Sequence, residues 1–175
     1  MRTADLDADA RSVFDLVIGV GNPLMGDDGL GIETVARLRS RWGDTPELVF
    51  LDGGTWGMNL LPMIESARRL LIIDAIDRGL APGTRIALQR DEIPRYFGFT
   101  LSPHQLDLRE VLALADLRGN LPAETLVLGI QPARVELSVD LSPVVAARLG
   151  ELLADVENQL SRWGHAAAEL CAGHA

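Results

Sequence analysis

Lysine is absent from this chain: all sixteen basic residues are arginine. That excludes the phosphate loop whose lysine neutralises a nucleotide's phosphates. Cysteine occurs once, at Cys171, so no internal disulfide can form and no oxidising compartment is implied. No apolar run approaches the roughly 20 residues of a membrane span. The amino terminus, "MRTADLDADARS", is acidic and has no apolar core, so it does not read as a secretory signal. Positive charge is also short, with 25 acidic residues against 16 basic ones and a formal net charge of −9. Such a balance argues against a nucleic-acid backbone or an anionic membrane as partner. The arginines are scattered and form no patch. A cytoplasmic protein is expected.

What is present suits one globular domain: 175 residues, 47 % hydrophobic and 23 % charged. Short aliphatic runs at 14–20, 47–54, 69–77 and 124–132 read as buried strands, and the alternating "GTRIALQR" (83–90) reads as an antiparallel edge. Helical spacing joins Ile32, Val35, Leu38 and Trp42, and again Val145, Leu149, Leu152, Val156 and Leu160. "WGMNLLPMIESA" predicts a short helix or turn. Ser-Pro pairs at 102–103 and 142–143 mark helix starts. The alternation predicts an α/β fold: a single domain over 14–163, with a twisted, mainly parallel sheet of about five strands and helices on both faces. Residues 1–13 and 164–175 are expected to be mobile ends. In such folds chemistry collects beyond the carboxyl ends of the strands.

The densest stretch is "GVGNPLMGDDGLG" (19–31), where five glycines surround Asp27 and Asp28. A dinucleotide fingerprint fails here, because Leu24 stands where the third glycine belongs and the two carboxylates would repel a phosphate. One aspartate before a helix is explained by capping. Two leave one carboxylate free for other work, and the glycines predict room for a large partner to approach the backbone. Asp74 ends the third strand, either as a hydrogen-bonded strand end or as a second site carboxylate. His104 opens the next helix, where the dipole favours a neutral, metal-binding imidazole, although a lone histidine there is more often structural. Asp28, Asp74 and His104 together make a half-open donor set for a divalent transition metal.

Asp52, Gly53, Gly54 and Thr55 after the second strand, and Gln131 after the last, either line that site or turn the chain. Cys171, His165 and His174 form a weaker chelating set in the tail. No Gly-x-Ser-x-Gly elbow and no His-Glu-x-x-His helix is present.

In order, "GVGNPLMGDDGLG", "LDGGT", "LIIDAID", "SPHQLDL" and "GIQP" with "LSPVV" resemble the signature blocks of the hydrogenase maturation proteases. The resemblance runs from about residue 15 to about residue 160. It implies a single α/β domain that trims the C-terminal extension from the large-subunit precursor of nickel–iron hydrogenases. It further implies a metal-contacting triad of Asp28, Asp74 and His104, with nickel borne by the precursor and held only weakly by the enzyme. Asn22, Asp52, Gly53, Gly54, Thr55 and Gln131 are then the candidate substrate-binding residues, with Asp27 left to cap the helix. A monomer suffices for transient binding to one precursor. The alternative is a non-catalytic chaperone that checks the same precursor for nickel.

Overall fold

The computed structural model describes residues 14–54, 56–93 and 103–167, and of 103–107 the backbone alone. Thr55, Ser102, Cys171, His174, the two chain ends 1–13 and 168–175, and the side chain of His104 lie outside the described residues.

Five strands form one sheet: β1 (Asp15–Val20), β2 (Leu48–Gly54), β3 (Arg69–Ala75), β4 (Arg85–Gln89) and β5 (Thr125–Ile130). Their spatial order is β2-β1-β3-β5-β4. The first four in that order run parallel, whereas β4 lies antiparallel to β5 at the edge, as its alternation predicts. Between and after them run α1 (Leu30–Trp42), α2 (Leu61–Ser66), α3 (Pro103–Leu117), α4 (Pro143–Ala146) and α5 (Leu149–Arg162).

Period-two alternation in the central strands feeds two cores. Val17, Leu71 and Ile73 face α1 and α5, meeting Leu38 and Val156. Leu16, Ile18, Leu70 and Ile72 face α2 and α3, meeting Ile64 and Val111. Covering both faces is what makes "LLII" (70–73) apolar throughout. Pro62 lies in the first turn of α2, where its missing N–H costs nothing.

One continuous helix over the last apolar stripe is not what forms. At Arg148 the N–H bonds the Val145 carbonyl three residues back, tightening the backbone and dividing α4 from α5. The stripe still stays buried from Val145 to Leu160. Among the described residues no helix is long and apolar enough to cross a membrane.

Where α1 begins, helix and sheet meet backbone to backbone. A Cβ on Gly31 would lie 2.3 Å from the Ile73 carbonyl oxygen and 2.4 Å from that of Val20. One on Gly19 would lie 2.2 Å from the Gly31 oxygen. The expectation that these glycines make room for a partner is therefore corrected at Gly19 and Gly31: the chain's own backbone fills the space.

At the opposite end of the sheet Asp15 is fully buried at the start of β1. Arg68 and Arg69 each donate two hydrogen bonds to its carboxylate, and His165 Nε2 lies 2.6 Å from Oδ2. Arg69 also donates to the Trp163 carbonyl and stacks on that indole, 4.8 Å from its centroid. This clasp ties β1 and β3 to the end of α5 and holds His165 far from Asp28. Burial pushes the Asp15 carboxyl up, but the hydrogen bonds from Arg68, Arg69 and His165 outweigh it and hold the group well below the usual carboxylate range.

Two outcomes follow from these contacts. Gly31→Ala should destabilise by about 3 kcal/mol, since backbone on both sides cannot yield, lowering the melting temperature by about 10 °C in a circular-dichroism scan. Asp15→Asn should cost roughly 3 kcal/mol at neutral pH, read from urea midpoints. Because the folded pKa is depressed, Asp15 stabilises fully above its unfolded pKa of about 4 and loses that contribution as pH falls through the folded value. The deficit of the variant should accordingly shrink below pH ~4 and be constant above it.

Candidate active site

Strand order reverses direction between β1 and β3, since β1 is followed outward by β2 on one side and β3 lies on the other. That is the point where two parallel neighbours send their connections to opposite faces and open a crevice at their carboxyl ends. Asp28 follows β1 and Asp74 lies at the carboxyl end of β3. Both are buried, at 5 % and 1 % exposure, and the turn bearing Asp28 packs directly on β3.

The turn is built from short-range bonds. Asn22 accepts the Leu24 N–H on its side-chain oxygen at 3.0 Å and the Met25 N–H on its carbonyl at 3.0 Å. Residues Gly26–Gly29 then form one 3₁₀ turn leading into α1. The Asp28 carboxylate accepts the Asn22 N–H at 3.0 Å, which fixes its Oδ2 against the start of the loop. Gly21, at φ +123°, has no alternative residue, because a Cβ there would overlap the Asp28 carbonyl oxygen at 1.8 Å. Asn22 thus shapes the Asp28 side chain through its backbone.

Asp27 does not cap the helix, contrary to expectation. Neither the 3₁₀ turn nor α1 has a side-chain cap. Its carboxylate, wholly buried, reaches across to the segment after β5. There Oδ2 accepts the N–H groups of Ala133 and Arg134 at 2.8 and 3.0 Å and the Ser142 hydroxyl at 2.8 Å, while Oδ1 accepts the Ser142 N–H at 2.6 Å. Backbone bonds reinforce the tie: Gly26 N–H to Ser138, Ser138 N–H to Leu24, and Asp27 N–H to Arg134. Ser142 occupies the N-cap position of α4, yet its hydroxyl serves Asp27 instead of the helix. Sequence reasoning missed Ser142 because Ser-Pro reads locally as a helix start.

The remaining candidates separate by what they touch. Gln131 is buried and spends its amide on the chain itself. Its oxygen accepts the Arg78 and Leu80 N–H groups, and its nitrogen donates to Asp77 at 2.8 Å. Gln131 and the Gly79 N–H together lower the Asp77 carboxyl below its ordinary value. Asp52 is exposed, whereas Gly53 is buried at a β-bulge, where a Cβ would meet Ile18 Cγ2 at 2.6 Å. Gly54 turns the chain at φ +41°.

His104 is the second residue of α3, whose far end leads back to the amino end of β5. The helix also packs on the Gly57–Leu60 turn beyond β2. Its backbone therefore starts at the same edge as Asp28 and Asp74. Among the described residues no three His, Cys, Asp or Glu side chains cluster to hold a metal ion. Two of the three expected donors, Asp28 and Asp74, are described.

Comparison with known proteins places the chain. A family model described as hydrogenase maturation protease matches residues 32–159. The hydrogenase 2 maturation protease of Escherichia coli is 37 % identical over 142 residues, covering 81 % of this chain and 87 % of the relative. The hydrogenase expression/formation protein HupD of Rhodobacter capsulatus is 36 % identical over 151 residues, covering 85 % and 72 %. Among solved structures, the hydrogenase maturating endopeptidase HybD from E. coli superposes with a TM-score of 0.82 at 36 % identity, over 86 % of this chain and 94 % of that one. On the strength of the matched model, the identities and the shared fold, the chain belongs to the hydrogenase maturation proteases.

Proposed function

We propose that this chain is the endopeptidase that removes the C-terminal extension of a nickel–iron hydrogenase large-subunit precursor, recognising nickel already seated in that precursor through Asp28, Asp74 and His104. The observation that carries the reading is the pair of buried carboxylates on either side of the β1/β3 crevice, in a member of this protease family. Two carboxylate groups and an imidazole are hard to borderline donors, and they leave coordination positions open. Alone they hold an ion weakly. A precursor that brings the ion with its own ligands completes the sphere, so the enzyme tests its substrate for metal before cutting.

Each residue then has a defined task. Asp28 is oriented by the Asn22 N–H, so its carboxylate meets the incoming metal without first reorganising. Asp74 comes from the neighbouring strand end and approaches from the opposite side of the crevice. Hydrolysis also needs a proton taken from the attacking water and returned to the leaving amine nitrogen, and a carboxylate of this pair serves that transfer. Asp27 holds the floor of the site in place and touches no reacting group.

The test is a mass measurement on purified precursor, with and without nickel, after mixing with the protein. Loss of a short C-terminal peptide only from nickel-loaded precursor is expected. Co-elution with no change in mass would instead identify a nickel-checking chaperone. Asp28→Asn and His104→Ala should each slow cleavage by at least about a hundredfold while leaving the urea midpoint near that of the wild type. Asp27→Asn should do the reverse in rank: one of its four donors would face an amide NH₂, costing about 2–3 kcal/mol of stability, while the folded fraction still cleaves. Equal loss of activity in Asp27→Asn and Asp28→Asn, with both folded, would refute this division.

A further inference from the structure

The large apolar side chains left at the surface are unevenly distributed. Nine are exposed among the described residues. Only Leu117, 84 % exposed, lies at the end of the sheet away from Asp28, where α3 closes before β5. The other eight follow the carboxyl ends of the parallel strands. Leu24 comes after β1, Trp56 and Met58 after β2, and Val135, Leu137 and Val139 after β5. Leu137 and Val139, two residues apart, are exposed to 85 % and 76 %. Apolar surface gathered on one face marks a contact with another macromolecule.

We infer that this rim is the docking surface for the hydrogenase large-subunit precursor, and that it takes an apolar stretch of that protein next to the bond to be cut. The inference rests on the proposed function and says how its substrate is held. The rim is continuous with the site. Leu24 lies four residues before Asp28, and the Gly26 and Ser138 backbones are bonded at 2.7 Å. A cleft of about 390 Å³ runs beside it, walled by Gly26 and Gly29 of the Asp28 turn and by Ile32, Val139, Leu141 and Leu149. That cleft therefore touches both the turn that carries Asp28 and the exposed segment that carries Val139.

The geometry also selects the kind of occupant. Trp56 and Leu137 belong to segments after β2 and β5, three strand spacings apart, or about 14 Å. An apolar stretch of about four or five extended residues covers that distance, crossing above the ends of β1 and β3 where Asp28 and Asp74 lie. The charge of Glu136, between Val135 and Leu137, is met by Arg134 at 3.3 Å, which leaves the apolar side chains to dominate adhesion there. Finally, the Asp27 clamp fixes the segment before the partner arrives, which lowers the entropy lost on binding.

The test measures steady-state cleavage of nickel-loaded precursor by Leu137→Asp/Val139→Asp and by Leu117→Asp. Both variants alter exposed side chains, and circular dichroism checks that each is folded. The rim variant should raise KM about tenfold or more with kcat unchanged, and Leu117→Asp should leave both constants as they are. An unchanged KM in the rim variant overturns the docking surface, as does a fall in kcat alone. If the rim variant instead abolishes self-association in size-exclusion chromatography while precursor kinetics stay the same, the rim is a contact between copies of this chain and the inference fails. Wild-type protein that leaves nickel-loaded precursor uncut would remove the proposed function itself, an outcome distinct from any of these.

Discussion

A carboxylate that gives up all contact with water must recover the lost hydration from the protein, or it will be protonated or expelled. Asp27 recovers it from four donors, three of them backbone N–H groups of residues 106 to 115 positions away. Those N–H groups in turn belong to an irregular segment between β5 and α4, whose Arg134 and Ser138 backbones also bond to the turn at Leu24, Gly26 and Asp27. Each side of the contact therefore satisfies the other. Remove the charge, and the tie between this segment and the Asp28 turn weakens, although the backbone bonds between Gly26, Leu24, Asp27, Arg134 and Ser138 still hold the two together. This one interaction converts two loops, from strands separated by β3, into a single rigid edge.

Close approach of α1 to the sheet gives that edge its height. With Gly19 beneath and Gly31 above, the helix starts in backbone contact with β1 and β3. The turn ahead of it, which carries Asp28, is thereby lowered into the crevice at the strand crossover. Gly129 does the same on the other side: a Cβ there would lie 2.1 Å from the Asp74 carbonyl oxygen, so β5 can lie tight against the end of β3. Bulk at any of these positions would lift one carboxylate relative to the other. The glycines are thus spacers for the chain's own parts, and the site geometry is set by what is missing from them.

Much of this was legible in the sequence. Continuous apolar runs such as Leu70–Ile73 mark strands covered on both faces, and alternation in 85–89 marks the antiparallel edge, because each pattern follows from which faces are buried. The placement of Asp28 after β1 and of Asp74 at the end of β3 was legible because each follows a short aliphatic run. The role of Asp27 was not legible. A carboxylate before a helix looks like a cap within a window of a few residues, and its true partners stand more than a hundred residues away. Ser142 was hidden for the same reason. The division of α4 from α5 left no mark either, since Ala147 and Arg148 are ordinary helix formers and only the tightened bond at Arg148 reveals it. His165, read as a loose tail residue, has its ring held by a buried Asp15 at the far end of the chain and its backbone N–H by the Leu160 carbonyl.

The two ends of the sheet divide their labour by polarity. The amino end is closed by charge: Asp15, its two arginines and His165 seal strands and the last helix together, with the apolar cores behind them. The carboxyl end keeps its apolar side chains outside, those after β5 on a segment tied down by Asp27. On the reading proposed above, the open donor set and this rim impose separate conditions on a substrate. Three donors alone bind an ion weakly, and an apolar rim alone binds a partner without regard to its metal. Free energies of the two contacts add when both are made by one molecule, so their effects on affinity multiply. Weakness in each is what makes the pair selective: a tight metal site would capture free nickel, and a tight rim would retain empty precursor. Rigidity from the Asp27 clamp is then required, because two weak contacts reinforce each other only when the spacing between them is fixed.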